Sequence, residues 1–96
     1  MHTDQIEAVI AVIEHGTTTA AAVALHITPR GLRQRIKALE AELGVTLVVR
    51  DGRTRTLTRE GRQYWDHLIA IRDLARSAKH LRRASCAESL GHADRA

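Results

Sequence analysis

The sequence contains a single cysteine, Cys86, so it cannot form an internal disulfide, and this usage fits a reducing cytosol. Its N-terminus has no basic stretch followed by a long apolar run, and no segment reaches the ~18 apolar residues of a membrane-spanning helix. These absences argue against a disulfide-rich secreted protein and against a membrane protein. We therefore expect a soluble, cytoplasmic protein with no membrane partner.

Patterns typical of metal sites and of catalysis are also missing. The six histidines show no close ligand spacing, and one thiol cannot supply a cysteine cluster. Asp66-His67 and the scattered serines give no nucleophile, base and orienting group in a recognisable order. A chain of 96 residues forms one small domain, without room for a second domain that has its own pocket. The sequence thus predicts no metal, no cofactor and no enzymatic activity.

The charge is unevenly distributed along the chain. Fifteen Lys and Arg face eleven Asp and Glu, for a net charge of +4. Residues 1–29 carry three acids and no base, whereas residues 30–62 carry nine bases and four acids. A basic segment of this kind favours an anionic partner, and its position within the chain indicates where that partner would bind.

Two short helices are predicted at the start of the chain. Thr3 can cap the first, whose apolar residues recur at helical spacing and which Gly16 would end; these residues are Ile6, Val9, Ile10 and Ile13. Thr19 is the expected cap of a second helix that reaches about His26. Ala20, Val23 and Ala24 take outward positions on it, either because alanine is a strong helix former or because they form a small protein-contact patch.

A third helix has the strongest pattern. Thr28 can cap it, Pro29 fits its first position, and Gly44 would end it. One face is apolar, with Leu32, Ile36, Leu39 and Leu43 at helical spacing; the opposite face has Arg30, Gln34 and Lys37, with Arg33 beside them. A short helix, a tight turn and a longer basic helix form the helix-turn-helix that lays its second helix in a DNA major groove.

A hairpin and a long helix complete the domain. Val45–Val49 is prone to form a strand, Arg50–Arg55 contains the turn signal Asp51-Gly52, and Thr54–Leu57 can return as the partner strand. This hairpin would be a wing, whose Arg53 and Arg55 either enter the minor groove or meet phosphates, or only keep the tip soluble.

Thr58 can cap a last helix that reaches roughly Arg83, which is too long for so small a core. Apolar residues alternate in steps of four and three along it and form a seam that a partner helix could cover, namely Tyr64, Leu68, Ile71, Ala75 and Ala78. We therefore divide the chain into a DNA-binding domain over residues 1–61, a linker or dimerisation helix over residues 58–83, and a disordered tail over residues 84–96.

In this order, a set of residues between positions 21 and 61 resembles the N-terminal DNA-binding domain of LysR-type transcriptional regulators. They are Ala21-Ala22, Leu25-His26-Ile27-Thr28, Leu32, Ile36, Leu39-Glu40, Leu43-Gly44, Leu47, Arg50, Leu57-Thr58 and Gly61. The resemblance covers roughly residues 3–83 almost without gaps. It implies a mainly helical, winged helix-turn-helix fold whose long linker helix pairs antiparallel in a dimer, and it assigns Arg50 a partly structural role, paired with an acid such as Glu40.

The sequence also departs from that family. Members continue into a larger effector-binding domain, whereas this sequence stops just past the linker helix, so we expect no small-molecule inducer. The family's usual phenylalanines are absent, with Thr18 and Val48 at two of the positions, which predicts a smaller core. Where the family commonly has Gln, Pro, Ala and Ser, this chain has Pro29, Arg30, Gly31 and Arg33, so its target sequence cannot be carried over.

These features predict a sequence-specific regulator of transcription that binds double-stranded DNA as a homodimer, in the cytoplasm and associated with the nucleoid. The DNA-binding residues we expect are Thr28, Arg30, Arg33, Gln34, Lys37, Arg50, Arg53 and Arg55. Gln34 can pair with adenine, and Arg30 or Arg33 with guanine. The alternative is an interaction module that pairs with a full-length relative and modulates its DNA binding.

Overall fold

The computed structural model describes residues 1–88, with the side chains of residues 1–81. Within these described residues, four helices and a two-stranded antiparallel hairpin follow one another. Their bounds are α1 Thr3–His15, α2 Thr18–Ala24, α3 Pro29–Leu43, β1 Val48–Asp51, β2 Thr54–Leu57 and α4 Arg59–Glu88. The predicted fold class, a mainly helical winged helix-turn-helix with a long last helix, is confirmed.

The caps of the first two helices differ from the prediction. The N-cap of α1 is His2 rather than Thr3, and its backbone N–H donates to Gln5 Oε1 at 3.3 Å. Gly16 ends α1 in the left-handed conformation, as predicted, and the chain then enters α2 at once. The cap of α2 is therefore Thr17, whose Oγ1 accepts from the backbone N–H of Ala20 at 3.1 Å, and Thr19 is already helical.

The turn into α3 has the predicted chemistry. α2 ends at Ala24, two residues before the expected His26, which instead takes a left-handed φ of 58° in the turn. Thr28 caps α3, since its Oγ1 accepts from the backbone N–H of Gly31 at 3.0 Å, and Pro29 takes the first helical position. Gly44 ends α3 in the left-handed conformation, as predicted.

The core forms around α1, which contacts α2, α3 and α4. Its residues from Ile6 to Val12 are buried all round except Glu7, so α1 lies at the centre of the core. The other buried hydrophobic residues among those described are Ala21, Ala22, Leu32, Ile36, Leu39, Leu47 and Leu68. Every one of these buried hydrophobic residues is aliphatic. Because Ala21 and Ala22 are small, α2 can pack closely against α1 and α3, which a phenylalanine in α2 would prevent.

The wing pairs Val48 with Leu57 and Asp51 with Thr54, around a turn in which Gly52 takes a φ of +62°. β1 starts three residues later than predicted. The reason lies at Leu47, whose side chain enters the core and whose backbone N–H donates to Glu40 Oε2 at 2.7 Å instead of to a strand. The wing is thereby fixed to α3 at its base.

α4 continues to Glu88 instead of ending near residue 83. Residues 84–88 are therefore helical, so the tail expected over residues 84–96 does not begin at residue 84. The remainder of that expected tail, residues 89–96, lies outside the described residues. At about 1.5 Å per residue, α4 is about 45 Å long, far more than the core can cover.

Gly61 is buried where the start of α4 crosses the segment before β1. A Cβ added there would fall on the carbonyl oxygen of Leu47, with Leu57 Cδ2 3.1 Å away. Because backbone cannot swing aside as a flexible side chain can, we expect Gly61→Ala to lower the free energy of unfolding by about 1–3 kcal/mol. Urea unfolding followed by circular dichroism measures this, with the exposed neighbour Arg62 replaced by alanine as control. Equal stability of the two variants would show that the crossing is not tight.

Candidate nucleic-acid interface

The outer face of α3 is polar and exposed. Arg30, Arg33, Gln34 and Lys37 are all exposed, while Leu32 and Leu39 on the opposite face are fully buried. Thr28 lies exposed at the N-terminal end of the same helix, where its hydroxyl serves as the cap. Within the part of the chain whose side chains are described, none of the three cations on this face forms an ion pair. The face therefore carries uncompensated positive charge.

Two of these residues also face the wing. Arg33 and Lys37, together with Thr18 and Arg55, line a cleft of about 120 Å³ between α3 and the hairpin. Arg30 and Gln34 do not line it. The structure thus divides the four α3 residues into a pair that lines the cleft beside the wing and a pair that lies outside the cleft.

The expected pairing of Arg50 with Glu40 is absent from the described residues. Glu40 Oε2 accepts instead from two backbone N–H groups, those of Leu47 at 2.7 Å and Val48 at 3.2 Å. Arg50 Nε donates to the carbonyl oxygen of Gly52 at 3.2 Å and so braces the hairpin turn. Glu40 thus holds the segment that leads into β1, and no local pattern in the sequence indicates this contact.

The remaining arginines lie on the wing. Arg53 is exposed at the hairpin tip, between the two strands. Arg55 is half-buried and lies directly across from Arg50 in the strand register, while its backbone N–H donates to the carbonyl oxygen of Gly16 at 2.7 Å. Two like charges face to face are unfavourable in isolation, and an anion between them removes the penalty.

Thr18 is a site residue that the sequence reasoning did not assign to the interface. It starts α2 and lines the cleft shared by α3 and the wing. A polar residue at a position where the resemblance implies phenylalanine was the available signal. The apolar neighbours Val12, Ile36 and Val48 also line the cleft.

The expected dimerisation seam needs a correction at Leu68. Leu68 is 1% exposed and belongs to the chain's own core, so it offers a partner almost no accessible surface. Tyr64 is half-buried against the core and Ala75 is half-buried, whereas Ile71 and Ala78 are exposed. The side of α4 that carries Leu68 packs against α1, and this contact turns the free apolar side away from the expected line.

The free apolar side is a stripe formed by Ile71, Leu74, Ala78 and Leu81, in steps of three, four and three residues. Leu74 is 71% exposed and Leu81 is 64% exposed. Towards the core, the stripe runs into an apolar groove of about 440 Å³, lined by Met1, Leu43, Gln63, Tyr64, His67, Leu68 and Ile71. The stripe and the groove form one continuous apolar surface along α4.

Two further features, a metal site and a membrane-spanning helix, can be assessed from the described residues. Among the residues whose positions are described, no three His, Cys, Asp or Glu side chains come close enough together to hold a metal ion. None of the helices in the described part of the chain has both the length and the apolar character needed to cross a membrane.

Comparison with known proteins relates this geometry to a family. Residues 3–62 match the family model described as a bacterial regulatory helix-turn-helix protein of the lysR family. The transcriptional regulator LysG of Mycobacterium tuberculosis is 48% identical over 54 residues, which cover 56% of this chain and 18% of LysG. The AhcY transcriptional activator HvrB of Rhodobacter capsulatus is 36% identical over 83 residues, 86% of this chain and 28% of HvrB. The chain thus spans under a third of these relatives.

A solved structure from the same comparison has a similar fold. The DNA-binding domain of CbnR, solved in complex with DNA, is 35% identical, with a TM-score of 0.78. The alignment covers 90% of this chain and 99% of that domain. A family match over more than half of the sequence and a shared winged fold lead to one assignment: the chain belongs to the LysR family of bacterial helix-turn-helix regulators and corresponds to its DNA-binding domain.

Proposed function

We propose that the chain is a sequence-specific transcriptional regulator that binds double-stranded DNA as a homodimer. The observation that carries this proposal is the exposed face of α3, where Arg30, Arg33, Gln34 and Lys37 stand opposite fully buried leucines. A helix with this polarity, second in a helix-turn-helix, fits a major groove. Arg30 is suited to guanine and Gln34 to adenine, while the wing arginines Arg53 and Arg55 meet the backbone or the minor groove.

The mechanism is occupancy of a site, with no chemical step, and we expect neither catalysis nor a cofactor. A regulator of this kind acts where the chromosome lies, so we place it in the cytoplasm, associated with the nucleoid.

The second copy of the chain would lie along α4. The distal leucines Leu74 and Leu81 lie on the stripe C-terminal to Ile71, and the apolar groove lies at the Ile71 end of the stripe. In an antiparallel pair, the distal leucines of one copy reach the groove of the other, so both features are covered at once. The same arrangement presents two α3 helices to two half-sites, which raises affinity through the second, intramolecular binding event.

Selection of bound sequences from random duplex DNA tests the proposal directly. The purified chain should enrich two related half-sites in inverted orientation, separated by about one helical turn or a multiple of it. Enrichment of a single half-site would contradict the homodimer and leave DNA recognition intact. The absence of any enriched sequence would overturn specific recognition.

Salt dependence separates this function from the alternative interaction module. Each phosphate that a Lys or Arg neutralises releases condensed counterions, so the affinity for duplex DNA should fall steeply with salt. With roughly four to six such contacts per dimer, we expect a slope of about −4 to −5 for log affinity against log salt concentration. Fluorescence anisotropy between ~50 and ~300 mM salt measures it. A chain that binds no DNA alone at ~50 mM salt would favour the interaction module.

A further inference from the structure

The cleft between α3 and the wing has a size and composition that fit one small anion. Five elements contribute to its lining: α1 with Val12, α2 with Thr18, α3 with Arg33 and Lys37, β1 with Val48, and β2 with Arg55. Its volume of about 120 Å³ is well below the ~300 Å³ at which small-molecule pockets begin. The cleft therefore has room for a phosphate group but not for a whole nucleotide.

The charge of the cleft is positive. Three cations line it, and in the described part of the chain none of them forms an ion pair. The one acid in the lining, Glu40, directs an oxygen to the backbone N–H groups of Leu47 and Val48, so its charge is shared with the base of the wing. The cleft thus keeps about two positive charges that only an external anion can balance.

The cleft is also held in place before any ligand arrives. The backbone N–H of Arg55 donates to the carbonyl oxygen of Gly16 at 2.7 Å, and this hydrogen bond connects β2 to the end of α1. The start of β1 is fixed to α3 through Glu40. Arg33 and Lys37 are one helical turn apart on a single side of α3, so they lie one above the other. A site on fixed elements loses little entropy on binding.

We propose that this cleft, lined by Thr18, Arg33, Lys37 and Arg55, holds one phosphodiester group of the DNA backbone. Its three cations then set affinity and fix the register of α3 on the duplex, whereas Arg30 and Gln34, which lie outside the cleft, read base edges. This assigns Arg33 to the backbone rather than to guanine. The inference rests on the proposed DNA-binding function and divides its residues into two roles.

Alanine variants of the two groups test this division. Arg33→Ala and Arg55→Ala should each weaken binding to all sequences roughly tenfold, and should reduce the steepness of the salt slope by about 2 per dimer, one per copy. The sequence selected from random DNA should stay unchanged. Gln34→Ala should alter the selected sequence with little change in the salt slope. Lys79→Ala, which removes an exposed charge from the distal part of α4, is the control and should change neither quantity.

A scan of the DNA backbone supplies the second measurement. Single phosphates of the selected site are replaced in turn by neutral methylphosphonate. One position per half-site should weaken the wild type about tenfold and leave the binding of Arg55→Ala almost unaffected, because the contact is already lost. Additive losses at every position, or a selected base that changes in Arg33→Ala, would overturn the phosphate cleft. If the wild type binds no DNA at all, the proposed DNA-binding function is wrong. That result differs from one in which the wild type binds DNA but the cleft holds no phosphate.

Discussion

Replacing Leu74 by glutamate should leave the domain folded and abolish the dimer. Leu74 is 71% exposed in the single chain, so a charged side chain there meets only water and costs the monomer almost nothing. In the proposed dimer the same side chain lies in an apolar interface between two α4 helices. Burying an unpaired carboxylate there, twice by symmetry, costs several kcal/mol and shifts the equilibrium to monomer.

Loss of the dimer should remove most of the affinity for DNA that carries two half-sites. Each copy then binds its half-site alone, so the avidity from simultaneous engagement, commonly 10²-fold or more, is lost, while weak, salt-sensitive binding persists. Sedimentation velocity and anisotropy on one-half-site and two-half-site duplexes measure the two effects. A wild type that is monomeric at ~100 μM, or a Leu74→Glu variant that remains dimeric, removes the α4 dimer from the proposal.

Leu68→Glu is the matched comparison, because it makes the same chemical change six residues earlier on the same helix. Leu68 is 1% exposed and packs within the core of its own chain. Glutamate there should unfold the domain, with loss of the circular dichroism signal and of all DNA binding. The pair of variants therefore separates a residue that holds the monomer together from one that holds two monomers together.

The sequence could place the elements but not the side of α4 that faces outward. Leu68, Ile71, Ala75 and Ala78 follow steps of three and four, and so do Ile71, Leu74, Ala78 and Leu81. Both lines satisfy the same periodicity, so periodicity cannot separate them. The choice is made by the contact between α4 and α1, which depends on how the two helices pack and is not encoded in either helix alone.

The helix caps also show that a local sequence pattern predicts some features, whereas others depend on how the chain folds around them. Thr28 followed by Pro29 predicts an N-cap and a first helical residue, because proline fits only the first turn of a helix. That prediction is confirmed. Thr17, Thr18 and Thr19 are chemically equal candidates for the cap of α2. The structure selects Thr17, since the left-handed Gly16 turns the chain so that the next residue is extended and its hydroxyl faces the N–H of Ala20.

Glu40 was expected to bind an arginine, and its actual partners show why local sequence failed there. The backbone N–H groups that it accepts from are seven and eight residues away, at Leu47 just before β1 and at Val48, the first residue of β1. A contact between a side chain and backbone N–H groups produces no recognisable spacing or residue type in the sequence. Its consequence is large, however, because it is the link that joins the helix proposed to read DNA to the wing proposed to hold it.

Glu40→Ala should therefore lower the free energy of unfolding by about 2–4 kcal/mol, which for one residue of a small domain is a large effect. The change leaves two part-buried N–H groups without their charged acceptor. Glu40→Gln keeps a neutral oxygen in the same place, so it should cost less, about 1 kcal/mol. The control is Glu42→Ala, since Glu42 is exposed and pairs only with the N-terminal ammonium of Met1 in the described residues; it should cost no more than about 1 kcal/mol.

Hydrogen exchange identifies the cause of the loss. In Glu40→Ala the amides of Leu47 and Val48 should exchange faster than in the wild type through local opening of the wing, while those of α1 should speed up only by as much as the global free energy of unfolding falls. DNA affinity should fall together with this protection, because Arg55 leaves its place beside Arg33 and Lys37 once the base of the wing is free. A Glu40→Ala variant with wild-type stability and unchanged exchange at Leu47 would show that the wing is held by its contacts with α1 and α4 alone, and that Glu40 plays no part in joining it to α3.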